Sequence, residues 1–142
     1  MSFNNPYYVG IANVGSYQVS GMPYATSSIA APASSGNPTE VSFPWVTQRV
    51  FVSNTNTASP LRVGFSANGV KGTNYFIIPA ATSTTSFPTQ EFRVKVNSIF
   101  ILSNTTTPTS ASIFAELTNI DSNLLVNSGP SGSNWSGSVG VG

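Results

Sequence analysis

Between Trp45 and Leu117 the chain is cut into apolar, β-branched and aromatic runs of four to eight residues, each closed by a cluster of Ser, Thr, Asn, Pro or Gly. Runs this short cannot carry an amphipathic helix, which needs ten or more residues at a 3.6-residue period. They fit strands. Over residues 45–52 every side chain except Gln48 and Arg49 favours a pleated strand. Side chains alternate across a strand, so Val46, Val50 and Val52 fall on one face and Trp45, Thr47 and Phe51 on the other. Leu61, Val63 and Phe65 alternate with Arg62, Gly64 and Ser66, the pattern of a half-buried strand. Asn68-Gly69, continued by Lys71-Gly72, reads as a hairpin turn, because Gly takes positive φ at little cost. Residues 75–78 form the next run, stopped by Pro79, and Phe92, Val94 and Val96 alternate with Arg93, Lys95 and Asn97. Residues 99–102 are apolar on both faces, which predicts a central strand. Ala111, Ile113, Ala115 and Leu117 then face one way, Phe114 and Glu116 the other. No segment reads as a helix, and residues 118–121 make at most one turn.

Six such runs at even spacing predict an all-β antiparallel sandwich or barrel. Two further strands, from residues 1–40 or from residues 83–88, bring the count to the eight of a single jelly roll. The chain divides into an extended N-terminal arm over residues 1–40, a core over 41–120 and a Gly/Ser-rich tail over 121–142. The arm holds strand-like pieces at residues 7–12 and 16–19. Gly15, Gly21, Pro23, Pro32, Gly36 and Pro38 interrupt the remainder, and residues 25–35 show no periodicity. Phe3, Tyr7, Tyr8, Tyr17 and Tyr24 are costly to leave in water, so the arm is expected to dock on its own core or on a neighbour. Trp135, alone in a Gly/Ser run, is expected to anchor the tail in a pocket.

The composition narrows the chemistry. Of 142 residues none is His or Cys, five are basic and four acidic. Imidazole bases, thiolate nucleophiles and Cys/His metal cages are therefore excluded. Glu116 and Asp121 are close in sequence, but the second lies beyond a strand end, and Glu40 and Glu91 are isolated, so no glycosidase-type pair is expected. There is no nucleophile elbow, no Gly-rich loop followed by a helix and no acidic cluster for calcium. The chain is expected to be neither an enzyme nor a carrier of a cofactor or metal. Charged residues make up 6% of the chain against about 25% in an average domain. Its surface is built instead from 23 Ser, 15 Thr and 14 Asn. A formal net charge of +1 removes the repulsion that keeps copies apart, which suits a protein packed against neighbours.

No basic patch exists to neutralise phosphates, so no nucleic acid is expected as a partner. No apolar stretch approaches the ~20 residues of a membrane-spanning helix, and Met1-Ser2-Phe3-Asn4-Asn5-Pro6 lacks the features of a secretory signal. Arg93 and Lys95 share one strand face, and Arg49 and Arg62 are expected to share another. Such charges either solvate a face and guard an edge, or meet acidic residues across a subunit contact.

Several motifs resemble those of a known family: Phe43-Pro44-Trp45-Val46-Thr47-Gln48-Arg49, Leu61-Arg62-Val63-Gly64-Phe65, Asn68-Gly69-Val70, Asn74-Tyr75-Phe76 and Arg93-Val94-Lys95. Together they look like the penton proteins of nucleocytoplasmic large DNA viruses. The likeness spans most of residues 43–120, with a similar style in the closing Gly/Ser/Asn/Trp stretch. It implies a single jelly roll, five copies of which close each vertex of an icosahedral virion assembled in the host cytoplasm. Partners would be the other copies of a homopentamer, capsomers of the major capsid protein and minor capsid proteins beneath. Candidate assembly contacts are Phe3, Tyr7, Tyr8, Arg49, Arg62, Arg93, Lys95 and Trp135. Two alternatives stand beside this reading. One is a carbohydrate-binding or fibre-tip jelly roll holding sugar on Trp45, Tyr75 or Trp135. The other is a minor capsid or decoration protein of a different virus.

Overall fold

The computed structural model describes residues 22–124 and 135–142. The chain order is β1 (Met22–Ala31), β2 (Thr39–Ser42), β3 (Trp45–Asn54), β4 (Leu61–Gly64), α1 (Ala67–Lys71), β5 (Phe76–Ile78), β6 (Thr89–Phe92), β7 (Ser98–Ser103) and β8 (Thr109–Asp121), with a 3-10 turn at Ser122–Leu124. The strands form two four-stranded sheets, in the orders β1-β8-β3-β6 and β2-β7-β4-β5. Every ladder is antiparallel. Consecutive strands switch sheets at each connection except β4 to β5. The protein is therefore all-β, with two sheets packed face to face as a sandwich.

The core is the inward face of both sheets. β3 contributes Val46, Val50 and Val52, β8 contributes Ala111, Ile113, Ala115 and Leu117, and the second sheet answers with Val41, Leu61, Val63, Ile78, Ile99 and Ile101. On β3, β4 and β8 these are residues that the alternation places on one face, although Phe65, expected beside Leu61 and Val63, is only partly buried. β7 lies between β2 and β4, as its two apolar faces predict. Ile99 and Ile101 enter the core, while Leu102 points the other way and is still fully buried. α1 packs over β4 and β7 on that outer side and supplies the second apolar neighbour.

Four local readings change. Residues 22–31 form the ten-residue strand β1, although they show no periodicity and fall in the expected arm. An edge strand needs only a partner for its backbone, and β8 provides one, with a bulge between Thr26 and Ile29. The sandwich thus reaches back to Met22, and the two further strands, β1 and β2, both come from residues 22–42, since residues 83–88 hold only an isolated Ser83–Ser86 bridge. The strand-like pieces at residues 7–12 and 16–19 lie outside the described residues. Residues 118–121 extend β8, and the single turn follows them. Asn68-Gly69 does mark the reversal between β4 and β5, but it sits inside α1 instead of a two-residue turn. Ser66 caps that helix by accepting from the Gly69 N–H.

Thr47 is the fourth. Period-two alternation puts it opposite Val46, yet both are fully buried. Register shifts on either side of Thr47 rotate it inward. There its Oγ1 donates to the Val94 carbonyl at 2.7 Å and accepts from the Val96 N–H at 3.1 Å, and its own N–H donates to the Val96 carbonyl at 2.9 Å. Residues 93–96 are consequently held beside β3 without a regular ladder. Val94 and Val96 still pack on the core, as their spacing predicts.

Candidate assembly surfaces

The end of the chain is seated on the sandwich. Trp135 packs against the core and adopts φ 59°, followed by positive-φ Gly137, Gly140 and Gly142. These left-handed residues wind Trp135–Gly142 into a tight reversal in which the Gly137 N–H donates to the Gly142 carbonyl at 3.0 Å. The Ser66 hydroxyl donates to the Val141 carbonyl at 2.8 Å while it caps α1. Gly69 is the seat: a Cβ there would lie 2.0 Å from the Val141 oxygen, and one on Gly142 would lie 2.6 Å from Gly69 Cα. Trp135 and Val141 line an apolar trough of about 380 Å³ together with Phe65, Val94, Val96, Arg93 and Lys95.

Four charged side chains, Arg49, Glu91, Arg93 and Glu116, form a network on the first sheet. The register sets Arg49 of β3 against Glu116 of β8 and Phe51 against Glu91 of β6. Arg49 Nε contacts Glu116 Oε2, an oxygen shielded from water and compensated by that guanidinium. Arg49 also approaches Glu91 at 3.7 Å. Arg93 Nε donates to Glu91 Oε1 at 2.7 Å, and that bond holds the Glu91 carboxyl below the usual glutamate range. The contact therefore adds stability above the ordinary glutamate pKa, and the gain is lost as pH falls through the lowered value. Arg93→Gln is expected to move the Glu91 midpoint upward in a carboxyl ¹³C NMR titration; an unmoved midpoint would show that the pair does not form in solution.

The flank formed by β5 and β6 carries an aromatic row. Phe92 meets Phe65 edge-on at 6.1 Å and Phe76 edge-on at 5.7 Å between ring centres. Phe76, Ile77 and Phe87 are exposed there. On the opposite flank Tyr24 of β1 meets Phe43 edge-on at 5.1 Å.

The expected contact residues are thus distributed. Phe3, Tyr7 and Tyr8 lie outside the described residues. Arg49 and Arg62 do not share a face, since β3 and β4 belong to different sheets. Arg62 is tied within its own chain: Nε donates to Asn104 Oδ1 at 2.8 Å, a terminal nitrogen reaches the Val70 carbonyl at 3.3 Å, and the guanidinium lies 4.4 Å from the Tyr75 ring centre. Arg93 and Lys95 lie beyond the end of β6, next to the trough, and Trp135 anchors the chain end on its own sandwich. Of the aromatics proposed to hold sugar, Tyr75 has a face covered by Arg62, and Trp45 and Trp135 pack on the core. The seat at Ser66 and Gly69 has no sequence signal beyond a Gly in an expected turn. One exposed side chain of the pair Phe76 and Ile77 was detectable, because adjacent strand residues cannot both turn inward; that both are exposed follows from the edge position of β5. Among the described residues no three acidic side chains come together as a metal cluster. No protein-family model, no curated protein and no solved structure matches the chain.

Proposed function

We propose that this chain is a structural capsid protein, a single jelly roll whose homopentamer closes the vertex of an icosahedral particle. The strand order carries the reading. β1-β8-β3-β6 facing β2-β7-β4-β5, with the chain changing sheets at every connection but one, supports a reading as two interleaved Greek keys, an architecture common in capsid shells. The motifs of residues 43–95 that resemble penton proteins point the same way, and the neutral surface of hydroxyl and amide groups suits permanent contact. The function is mechanical. A rigid wedge fills the gap between capsomers of the major capsid protein, with minor capsid proteins beneath, and no residue acts on a substrate. The charged residues serve contact geometry, as the Arg49–Glu116–Glu91–Arg93 network does on one outer face.

Electron microscopy and native mass spectrometry of the purified protein test this reading. Rings of five copies are expected. A monomer that binds oligosaccharides on a glycan array would overturn it in favour of a carbohydrate-binding module.

A further inference from the structure

The strand order sorts both the charges and the exposed apolar side chains into two unlike halves. One half holds β1, β8, β2 and β7, and the other holds β3, β6, β4 and β5. The strands of the first half carry three carboxylates, Glu40, Glu116 and Asp121, and no cation. The second half, with the residues that follow β6 and with α1, which packs on both β4 and β7, carries five cations, Arg49, Arg62, Lys71, Arg93 and Lys95, against Glu91 alone; Arg49 engages Glu116 across the boundary, so Glu40 and Asp121 make up the remaining negative charge of the first half. All nine charged residues of the chain are accounted for in this division. The large apolar side chains follow it. Met22 (45% exposed) and Phe114 (41%) stand on the β1–β8 side, and Phe76 (48%), Ile77 (44%) and Phe87 (42%) stand on the β5–β6 side.

We propose that copies of this chain associate head to tail, the acidic β1–β2 flank of one copy lying on the basic, aromatic β5–β6 flank of the next. The proposal rests on the ring reading above and names the contact that would build it. A flank pressed onto its own kind would set like charges together, which costs several kcal/mol and excludes a two-fold contact through either flank. Opposite charge brings unlike flanks into register, and the exposed aromatic side chains supply the apolar area. A contact between two different patches is the heterologous kind that closes into a ring when its rotation allows. The edge strands β1 and β5 lie along the two flanks, so main-chain hydrogen bonding is available at the joint.

Charge reversal at exposed positions tests it. Glu40→Lys with Asp121→Lys removes the negative excess of one flank; Lys71→Glu with Arg93→Glu removes the positive excess of the other. Each double variant should stay folded by circular dichroism, because all four side chains are exposed; the second should melt slightly lower than the parent, since it loses the exposed Arg93–Glu91 contact. In mass photometry at low salt, each alone should self-associate about 100-fold more weakly than the parent, the scale expected when like charges meet. An equimolar mixture should associate again, in complexes that hold the two variants in equal number, since every joint between unlike variants then brings opposite charges together. Either variant assembling like the parent overturns the proposal, as does a mixture that stays monomeric, or a parent that never associates. A parental ring of some number other than five, broken by both variants, keeps the contact and removes the vertex reading. A five-fold ring indifferent to both variants does the reverse.

Discussion

Replacing Asn54 by Leu should destabilise the protein by about 3–5 kcal/mol in urea unfolding, because one buried amide satisfies four groups at once. Asn54 ends β3 and is fully buried. Its Nδ2 donates to the Ser59 carbonyl at 2.8 Å and the Pro79 carbonyl at 3.1 Å. Its Oδ1 accepts from Thr109 Oγ1 at 3.0 Å and from the Asn56 N–H at 3.2 Å. These bonds tie the loop after β3, the end of β5 and the start of β8 into one end of the sandwich. Leu has the same branched arrangement of side-chain heavy atoms and is the bulkier residue, so the loss reports unsatisfied polar groups and tighter packing, not a cavity. Asn54→Asp separates the roles: it keeps both accepted bonds, loses both donated ones and adds a buried charge, so it should be no more stable at neutral pH. Losses below about 1 kcal/mol for both variants would show that water replaces the amide and that this end is not rigid.

Gly69→Ala is the second large effect. The new methyl would sit 2.0 Å from the Val141 oxygen, which is backbone and cannot swing aside. Alanine otherwise suits a helix better than glycine, so a substitution that should strengthen α1 is expected to weaken the protein by about 1–3 kcal/mol through loss of the seated chain end. Trp135 would leave the core and its emission would shift to the red; the same shift should vanish in Trp135→Phe, which separates it from Trp45. An unshifted spectrum in Gly69→Ala would show that Trp135–Gly142 does not rest on α1.

These two residues illustrate what is legible in a sequence like this. Asn54 stands in Asn54-Thr55-Asn56-Thr57, which reads as a turn, and nothing local distinguishes the one Asn that also binds the remote residues Pro79 and Thr109. Gly69 reads as a hairpin Gly, whereas its role is to admit residues more than 70 positions away. Trp135 was recognisable as an anchor because a large indole among Gly and Ser has no other use for its area.

Strands that bury one face announce themselves, since the pleat converts burial into alternation; residues 45–52, 61–65 and 110–117 show it directly. β1 does not, because its Ala, Ser and Thr side chains make little distinction between faces and its pairing comes from β8. Thr47 breaks the alternation only because two register shifts in the paired strands turn it inward. Local sequence alone therefore determined the all-β class, the core faces of the central strands and the absence of His and Cys chemistry. Those depend on side-chain types and a period of two. Only the tertiary structure decided which strands are neighbours, and with that the pairing of Arg49 with Glu116 and the placing of Glu40 and Asp121 on strands that carry no cation. Neighbours in a sheet are set by long-range hydrogen bonds and shared burial, which leave no mark on residues next to one another in the chain.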